Sequence, residues 1–361
     1  MEMKASRSRL LHSRPTWGLA ALALVSFFAP ACQTMSHAFG ERGDFISAQE
    51  LAQTQGPEMS FLPAPLRPTL RDFARMPALS NVVGLIRAAD WSSAAMRLTA
   101  EKTTYRTSSH VEALHAWVLL QINERETALK MATFVVDYHE PKSPAAYVLA
   151  VDSRERGDFA AALPLYQIAL KSHPRDSGLL REMAHCAFSS GQEAESIVLL
   201  DRLMVVDPLS SEDLTLRARA LVTLRRYEAA LLIYGRLQKD SPGDVALLLE
   251  AGQCAFAGNQ YDKAISLCNE VTQLDPQNAE AHFVLGMASA SFLDPAGAEA
   301  AFSRALELKP DYLKAGHALA VLLSNQGMID EAYAALNQLS RQPLSSVDLE
   351  KVQGWLNELE D

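Results

Sequence analysis

This 361-residue chain has few cysteines and few histidines, and they show no catalytic spacing. Their scarcity limits the metal and catalytic sites that the chain could form. Its four cysteines include no Cys-x-x-Cys pair, and its nine histidines include no His-Glu-x-x-His. The common zinc and redox spacings are therefore missing. Gly-x-Ser-x-Gly and phosphate-binding glycine loops are missing too. We expect no catalytic site, no metal, no cofactor and no small-molecule substrate, and hence a non-enzymatic protein.

The chain also lacks an excess of positive charge. It has 33 Lys and Arg residues against 43 Asp and Glu residues, a formal net charge of −10. Binding to nucleic acid or to an anionic membrane surface requires clustered lysines and arginines that neutralise phosphates. The composition therefore favours a protein as the partner and excludes nucleic acid.

The apolar run near the N-terminus, from Trp17 to Ala29, is too short for a comfortable membrane-spanning helix, which needs about 20 residues. Basic residues precede this run, and small residues and then Cys32 follow it. This order is typical of a secretory signal, so residues 1–31 are predicted to be a signal peptide.

The sequence Ala29-Pro30-Ala31-Cys32 resembles the bacterial lipobox, whose usual form is Leu-Ala-Gly-Cys. The resemblance implies that Cys32 receives a diacylglyceryl thioether and, after cleavage, an N-acyl chain, which together anchor a protein stably. Because Gln33 rather than Asp follows, the Gram-negative sorting rule implies a periplasm-facing outer-membrane lipoprotein. Two alternatives stay open: an ordinary signal-peptidase site that releases a soluble periplasmic protein, and an uncleaved anchor.

Residues 32–74 are predicted to be a lipidated tether, because glycines and prolines interrupt them and no helical periodicity persists. Leu62 and Leu66 are expected either to dock on the first repeat or to belong to a simple spacer.

Three columns of residues recur with a period of 34 over most of the remaining chain. The first column is Pro174, Pro208, Pro242, Pro276 and Pro310. The second is Ala94, Ala128, Ala162, Ser196, Ala230, Ala264, Ala298 and Ala332. The third is Val82, Ala116, Ala150, Ala184, Ala218, Gly252, Gly286 and Ala320. Small residues in two registers indicate points where helix backbones approach closely.

These columns carry a resemblance to the tetratricopeptide repeat family, whose unit has a Leu-Gly pair, an Ala, an aromatic and a final Pro. The clearest copy, residues 279–312, has Leu285-Gly286, Ala298, Phe302 and Pro310. The resemblance implies an all-α solenoid, a right-handed superhelix of antiparallel helix pairs. Counting by 34 predicts eight units over residues 75–346. Residues 347–361 are predicted to be a capping helix, with a partner-binding helix as the alternative.

In this family the first helix of each unit lines a concave groove that contacts partners, and the resemblance implies which side chains would do so here. They are Trp117, Tyr147, Arg154, Arg181, His185, Phe188, Arg219, Leu249, Gln253, Phe256, Phe283, Met287 and His317. Apolar side chains on a solvent face suggest a peptide or helix segment as the ligand. Assignment of some of them to the core is the alternative.

The cysteines after Cys32 are Cys186, Cys254 and Cys268, all predicted to be small core residues. A disulfide between Cys254 and Cys268 stays open, because they belong to the same repeat.

The function expected from these features is that of a membrane-tethered adaptor or scaffold. The chain looks most like the lipid-anchored tetratricopeptide proteins that assist pilus or secretion-system assembly, including tight-adherence pilus lipoproteins. An adaptor for envelope proteases or cell-wall hydrolases is the alternative.

Overall fold

The computed structural model describes residues 59, 62–69, 72–73, 76, 78–101, 108–139 and 141–360. These residues belong to one compact unit, Pro57–Asp361. The predicted signal peptide, Cys32 and most of the predicted tether lie outside the described residues.

Seventeen α-helices have their bounds within the described residues, where no strand occurs. Eight successive pairs follow one another, and the last helix is unpaired. The first helices are α1 (Leu79–Arg87), α3 (Ser109–Gln121), α5 (Ser143–Glu155), α7 (Ser177–Ser189), α9 (Ser211–Thr223), α11 (Val245–Ala257), α13 (Ala279–Ser291) and α15 (Leu313–Asn325). The second helices are α2 (Trp91–Ala100), α4 (Arg125–Tyr138), α6 (Phe159–Ser172), α8 (Glu193–Val206), α10 (Tyr227–Asp240), α12 (Tyr261–Leu274), α14 (Pro295–Leu308) and α16 (Ile329–Ser340), and α17 is Ser346–Glu360. The predicted all-α solenoid is confirmed.

The small-residue columns lie where the two helices of a pair approach. The seven alanines of the second column are completely buried, and so is Ser196. The Ser196 hydroxyl donates a hydrogen bond of 2.8 Å to the carbonyl oxygen of Ala184 on the facing helix. Serine therefore satisfies its polar group within the close contact, which explains why it is tolerated in an alanine column.

The turn within each pair repeats as strictly as the helices. Eight residues with positive φ stand 34 apart: Ala89, Asn123, Gly157, Gly191, Arg225, Asn259, Leu293 and Gly327. A left-handed residue lets the chain reverse within a few residues. Leu293 has a φ of 65°, so the turn imposes this conformation even on a side chain that disfavours it.

Polar caps and prolines set the helix ends. Asp158 and Asp294 accept hydrogen bonds from the backbone at Ala161 and Gly297, as predicted for caps of second helices. Each proline of the first column lies two residues after the end of a second helix, where it prevents the helix from continuing. Pro164 lies inside α6, as the sequence predicts.

The segment before the first pair also packs on the array. Leu62 and Leu66 are buried, and the 3-10 helix Ala64–Leu66 contacts α3 and α5 rather than the first repeat. These residues fall in the predicted tether, but the compact unit already contains them. Docking was one of the two alternatives that the sequence left open for these leucines, and the contacted helices belong to the second and third pairs.

Two glycines at the same register position give a stability test. A Cβ on Gly286 would lie 2.6 Å from two ring carbons of the buried Phe302, whereas a Cβ on Gly354, in the unpaired α17, would meet open space. We expect Gly286→Ala to lower the free energy of unfolding by about 1–3 kcal/mol, because the ring of Phe302 would have to shift from its buried position to make room for the Cβ. Gly354→Ala should raise it by up to about 1 kcal/mol through helix propensity. Urea denaturation followed by circular dichroism measures the free energy of unfolding of both variants. Equal changes for Gly286→Ala and Gly354→Ala would contradict the close contact between Gly286 and Phe302.

Candidate functional site

The first helices form the inner surface of the solenoid. Consecutive first helices contact one another, as α3 with α5, α7 with α9 and α11 with α13, whereas second helices contact mainly the first helices beside them. Because elements on the inside of a curved stack lie closer together, the first helices line the concave face. All thirteen residues predicted for the groove lie on the first helices from α3 to α15.

In the middle of this face, polar contacts tie each first helix to the next. Arg154 pairs with Glu182, and Gln253 donates to Glu280 over 2.8 Å. Arg219 Nε donates to Glu250 over 3.0 Å, and the Tyr234 hydroxyl donates to the same carboxylate over 3.0 Å. The predicted groove arginines therefore hold acids of the neighbouring unit, and their charge is already compensated.

The strongest of these ties centres on Asp213, whose side chain is completely buried. The Arg181 guanidinium donates to it in a forked arrangement, Nε to Oδ1 over 2.9 Å and Nη2 to Oδ2 over 3.0 Å. The Ser210 backbone N–H adds a third bond of 3.0 Å. Burial acts to raise the pKa of Asp213, but the bonds from Arg181 and Ser210 outweigh it and hold the pKa below its ordinary value.

Most of the predicted aromatic and apolar groove residues on α3 to α11 pack against the core. Trp117 meets Trp91 edge to face at 5.4 Å between ring centroids, and Tyr147 meets Tyr166 at 6.1 Å. Phe188, Leu249 and Phe256 are partly buried against core clusters. His185 is exposed. These contacts leave little apolar surface open between α3 and α11.

An open groove of about 640 Å³ lies at the C-terminal end, between α13, α15 and α17. Its lining residues are Phe283, Met287, Ala290, Phe302, Leu313, Lys314, His317, Ala318, Val321, Leu322, Asn325, Lys351 and Trp355. The volume falls within the range of about 300–1,000 Å³ that is usual for ligand pockets. Three predicted residues, Phe283, Met287 and His317, come together here.

Stacked rings and two lysines shape the groove. The rings of His317 and Trp355 stack with centroids 4.0 Å apart, which connects α15 to α17. Lys351 Nζ lies 2.8 Å from the Asp348 carboxylate on its own helix. Val321 is 45% exposed although it is an aliphatic residue in the groove wall. The groove therefore offers hydrophobic contact with ammonium groups at its edge.

The 34-residue period would have found the residues that the sequence analysis missed. Counting from Phe283 leads to His317 and then Lys351, and counting from Met287 leads to Val321 and then Trp355. The predicted set of groove residues stopped at His317 because the last helix was assigned as a cap, with a partner-binding helix only as the alternative. The structure places that helix, α17, as the third wall of the groove.

The cysteines of the described region are buried thiols. Cys254 and Cys268 are both free, so the disulfide left open by the sequence is not formed. Burial raises the pKa of Cys254 to about 11 and that of Cys268 to about 12, which makes both thiols unreactive at neutral pH. Among the described residues, no cluster of His, Cys, Asp or Glu is suited to hold a metal ion.

None of the described helices has the length and apolar character needed to cross a bilayer. Lipidation of Cys32 stays a prediction, because Cys32 lies outside the described residues.

Two family models, each described as a tetratricopeptide repeat, match the chain. One matches residues 215–279 and 270–312, and the other matches residues 153–220 and 294–347. Together they span residues 153–347, which is more than half of the chain. The matches include the groove residues of α13 and α15, and the C-terminal helix α17 begins at their edge.

Curated relatives match over shorter parts of their length. Tetratricopeptide repeat protein 8 of Caenorhabditis elegans is 28% identical over 174 residues, 48% of this chain and 34% of that protein. Protein FlbA of Caulobacter vibrioides is 23% identical over 234 residues, 65% of this chain and 34% of that protein. The chain spans about a third of the length of these curated relatives.

Three solved structures illustrate what the chain is similar to. MamA from Desulfovibrio magneticus has a TM-score of 0.44 and 20% identity, covering 49% of this chain and 96% of its own. YrrB, a TPR protein with an unusual peptide-binding site, has a TM-score of 0.45 and 19% identity, covering 52% and 96%. A tetratricopeptide repeat protein from Parabacteroides merdae has a TM-score of 0.48 and 14% identity, covering 70% and 99%.

The buried pair of Arg181 and Asp213 gives a pH-dependent prediction. Asp213→Asn should lower the free energy of unfolding at pH 7 by about 2–3 kcal/mol, because the guanidinium of Arg181 loses the buried one of its two acidic partners and keeps only the more distant Asp207, at 3.7 Å. Since the folded-state pKa of Asp213 lies below 3.8, its stabilisation is complete above that pH and is lost as the pH falls through the folded value. The difference in the free energy of unfolding between wild type and Asp213→Asn should therefore narrow only under acid conditions.

Urea unfolding at a series of pH values measures this gap. Glu126→Gln, at an exposed pair with Lys130, is the control and should change the free energy by less than about 0.5 kcal/mol. A gap that persists unchanged to pH 2 would contradict the role given to the Asp213 charge.

Proposed function

We propose that this chain, which belongs to the tetratricopeptide repeat family, is a non-enzymatic adaptor that binds a segment of another protein in the groove between α13, α15 and α17. The observation that carries the proposal is the unfilled apolar wall around Val321 and Trp355. Elsewhere on the concave face, inter-unit ion pairs or core packing already engage most of the corresponding side chains. An apolar surface left open on such a face is typical of a binding site.

The ligand that fits best is a short peptide or helix presenting two or three apolar side chains. Burial of apolar surface contributes about 25 cal/mol per Å², so a few such anchors supply most of the affinity. Trp355 and Met287 provide wide contact area, and aromatic residues in a desolvated centre commonly dominate binding energy. Lys314 at the edge favours a segment that carries an acidic residue beside its apolar anchors, whereas the charge of Lys351 is already compensated by Asp348.

The cellular setting belongs to the same proposal. A lipid anchor at Cys32 would hold the array at the periplasmic side of the outer membrane, where it would assist assembly of a pilus or secretion system. The support for this setting is the order of basic residues, apolar run and Ala29-Pro30-Ala31-Cys32 in the sequence.

A pair of valine substitutions tests the groove. Peptides of 15 residues are selected from a display library against the full chain, and the affinity of the best binder is then measured for each variant. Val321→Glu, in the groove, should weaken binding at least tenfold, because a carboxylate would have to be desolvated against apolar walls. Val198→Glu is the matched control: Val198 is 58% exposed, on the second helix α8, and its change should leave the affinity unaltered.

Both valines are exposed, so circular dichroism and the melting temperature should stay close to wild type in each variant. Equal affinity for the Val321→Glu variant and the wild type would place the binding site elsewhere.

The lipid anchor has a separate test. Cys32→Ser should abolish labelling of the full chain with a palmitate analogue in a Gram-negative host and move the protein out of the membrane fraction. A wild-type chain that takes up no label and still fractionates with the membrane would refute the anchor, while leaving the groove proposal untouched.

A further inference from the structure

Two neighbouring second helices carry large aliphatic side chains on their solvent side. Val198 on α8 is 58% exposed and Leu232 on α10 is 78% exposed. They stand 34 residues apart, so they occupy equivalent positions in the array. Counted by 34, this position holds Met96, Lys130, Pro164, Val198, Leu232, Ser266, Ala300 and Ala334. Met96 has no aliphatic neighbour, because Lys130 follows it, whereas Val198 and Leu232 are consecutive.

A third aliphatic side chain extends this surface along α8. Val205 stands seven residues, or two turns, after Val198 and is 85% exposed. In the neighbouring units the same position is polar or charged, with Asp137, Lys171, Lys239, Gln273, Glu307 and Arg341. Val198, Val205 and Leu232 thus form a patch on the convex side of the array, which we call the α8/α10 patch. An exposed apolar patch with a polar rim is typical of a protein contact surface.

The charges around the patch have opposite signs at its two ends. On both helices an acid lies about one turn before the aliphatic residue and an arginine lies about one turn after it. These four exposed residues are Glu195 and Glu228 before, and Arg202 and Arg236 after. In the part of the chain that the structure describes, none of the four has an ion-pair partner, whereas the nearby Asp201 pairs with Arg217 over 2.6 Å. The four charges are therefore available to another molecule.

This order of charges is complementary to itself when two copies meet with their helices antiparallel. A twofold axis in the contact plane, at right angles to α8 and α10, sets each helix against the same helix of a second copy. Glu228 then faces the second copy's equivalent of Arg236, and Leu232 faces its own equivalent near the axis. A parallel arrangement would instead set arginines against arginines and is disfavoured. Arg225 and Lys239 oppose each other in the antiparallel form, but they lie at the rim, where water and salt screen them.

We propose that the α8/α10 patch is a self-association surface through which two copies of this chain form an antiparallel twofold dimer. Only two helices of each copy take part, so the contact is smaller than the standard interface of about 1,600 Å² and the dimer dissociates on dilution. The groove between α13, α15 and α17 is not part of this contact. One consequence rests on the proposed function of that groove: a dimer presents two grooves and holds a partner with several segments more tightly than a partner with one.

Sedimentation velocity of the full chain tests the dimer at concentrations from micromolar to hundreds of micromolar. All proteins carry Cys32→Ser, so that no acyl chain contributes to association. The unsubstituted patch should shift from monomer to dimer as the concentration rises. Leu232→Glu should weaken the association at least about tenfold, because two carboxylates would be desolvated against the aliphatic centre. A chain that stays monomeric over the whole range would overturn the proposal.

The matched control is Ala300→Glu, which places the same carboxylate at the equivalent exposed position of α14. It should leave the association unchanged, and an equal loss in both variants would overturn the assignment to the patch. Val198→Glu should also dissociate the dimer while the affinity of the groove for its peptide stays the same. Failure of the dimer is therefore distinguishable from failure of the proposed groove.

A charge exchange tests the antiparallel arrangement. Glu228→Arg alone should weaken the dimer, because it would face the second copy's equivalent of Arg236. Glu228→Arg together with Arg236→Glu should restore the association, since opposite charges face each other again. A double variant that associates no better than Glu228→Arg would overturn this arrangement.

A lipid surface is the competing occupant of the patch. Vesicles of phosphatidylethanolamine and phosphatidylglycerol are added to the same Cys32→Ser proteins and sedimented. We expect no difference between Leu232→Glu and the unsubstituted patch. Vesicle binding that Leu232→Glu abolishes would overturn the proposal in favour of a membrane contact.

Discussion

The close approach of the two helices in each pair is the constraint on which the rest of the structure depends. At Gly286 the backbone leaves no space for a Cβ against the ring of Phe302, and at Gly252 the same is true against the sulfur of Cys268. Such contacts fix the distance and rotation of the first helix relative to the second. Repeated every 34 residues, they bring a defined set of first-helix positions to the concave face. The register of the small residues therefore decides which side chains a partner can reach.

Those positions are used differently along the array. In the middle units they carry inter-unit contacts such as the ion pair of Arg181 and Asp213. At the C-terminal end they form an open apolar groove because α17 has no second helix of its own and contributes Trp355. One geometry thus yields a cross-linked surface in the middle of the array and an open one at its C-terminal end, according to the residue type at each position.

Much of the fold could be predicted from the sequence, because the period of 34 is visible in the residues that determine it. The buried alanine column, the caps at Asp158 and Asp294 and the prolines after the second helices are all local or periodic signals. The groove was only partly predicted, since the last helix was assigned as a cap, with partner binding as the alternative, and none of its residues was included among the predicted groove residues. The ion pairs could not be predicted, because residues such as Arg219 and Glu250 come into contact only when their two first helices pack side by side. Docking of Leu62 and Leu66 was one of two alternatives, but its place on α3 and α5 could not be predicted, because an irregular segment has no period.

The most direct test of the account is the crystal structure of the full chain with the tightest peptide selected from a display library. The account predicts the peptide between α13, α15 and α17, with apolar side chains against Val321 and Trp355 and with the inter-unit pairs of the middle units intact. A peptide bound along the second helices, or across the middle units with the pair of Arg181 and Asp213 broken, would contradict it.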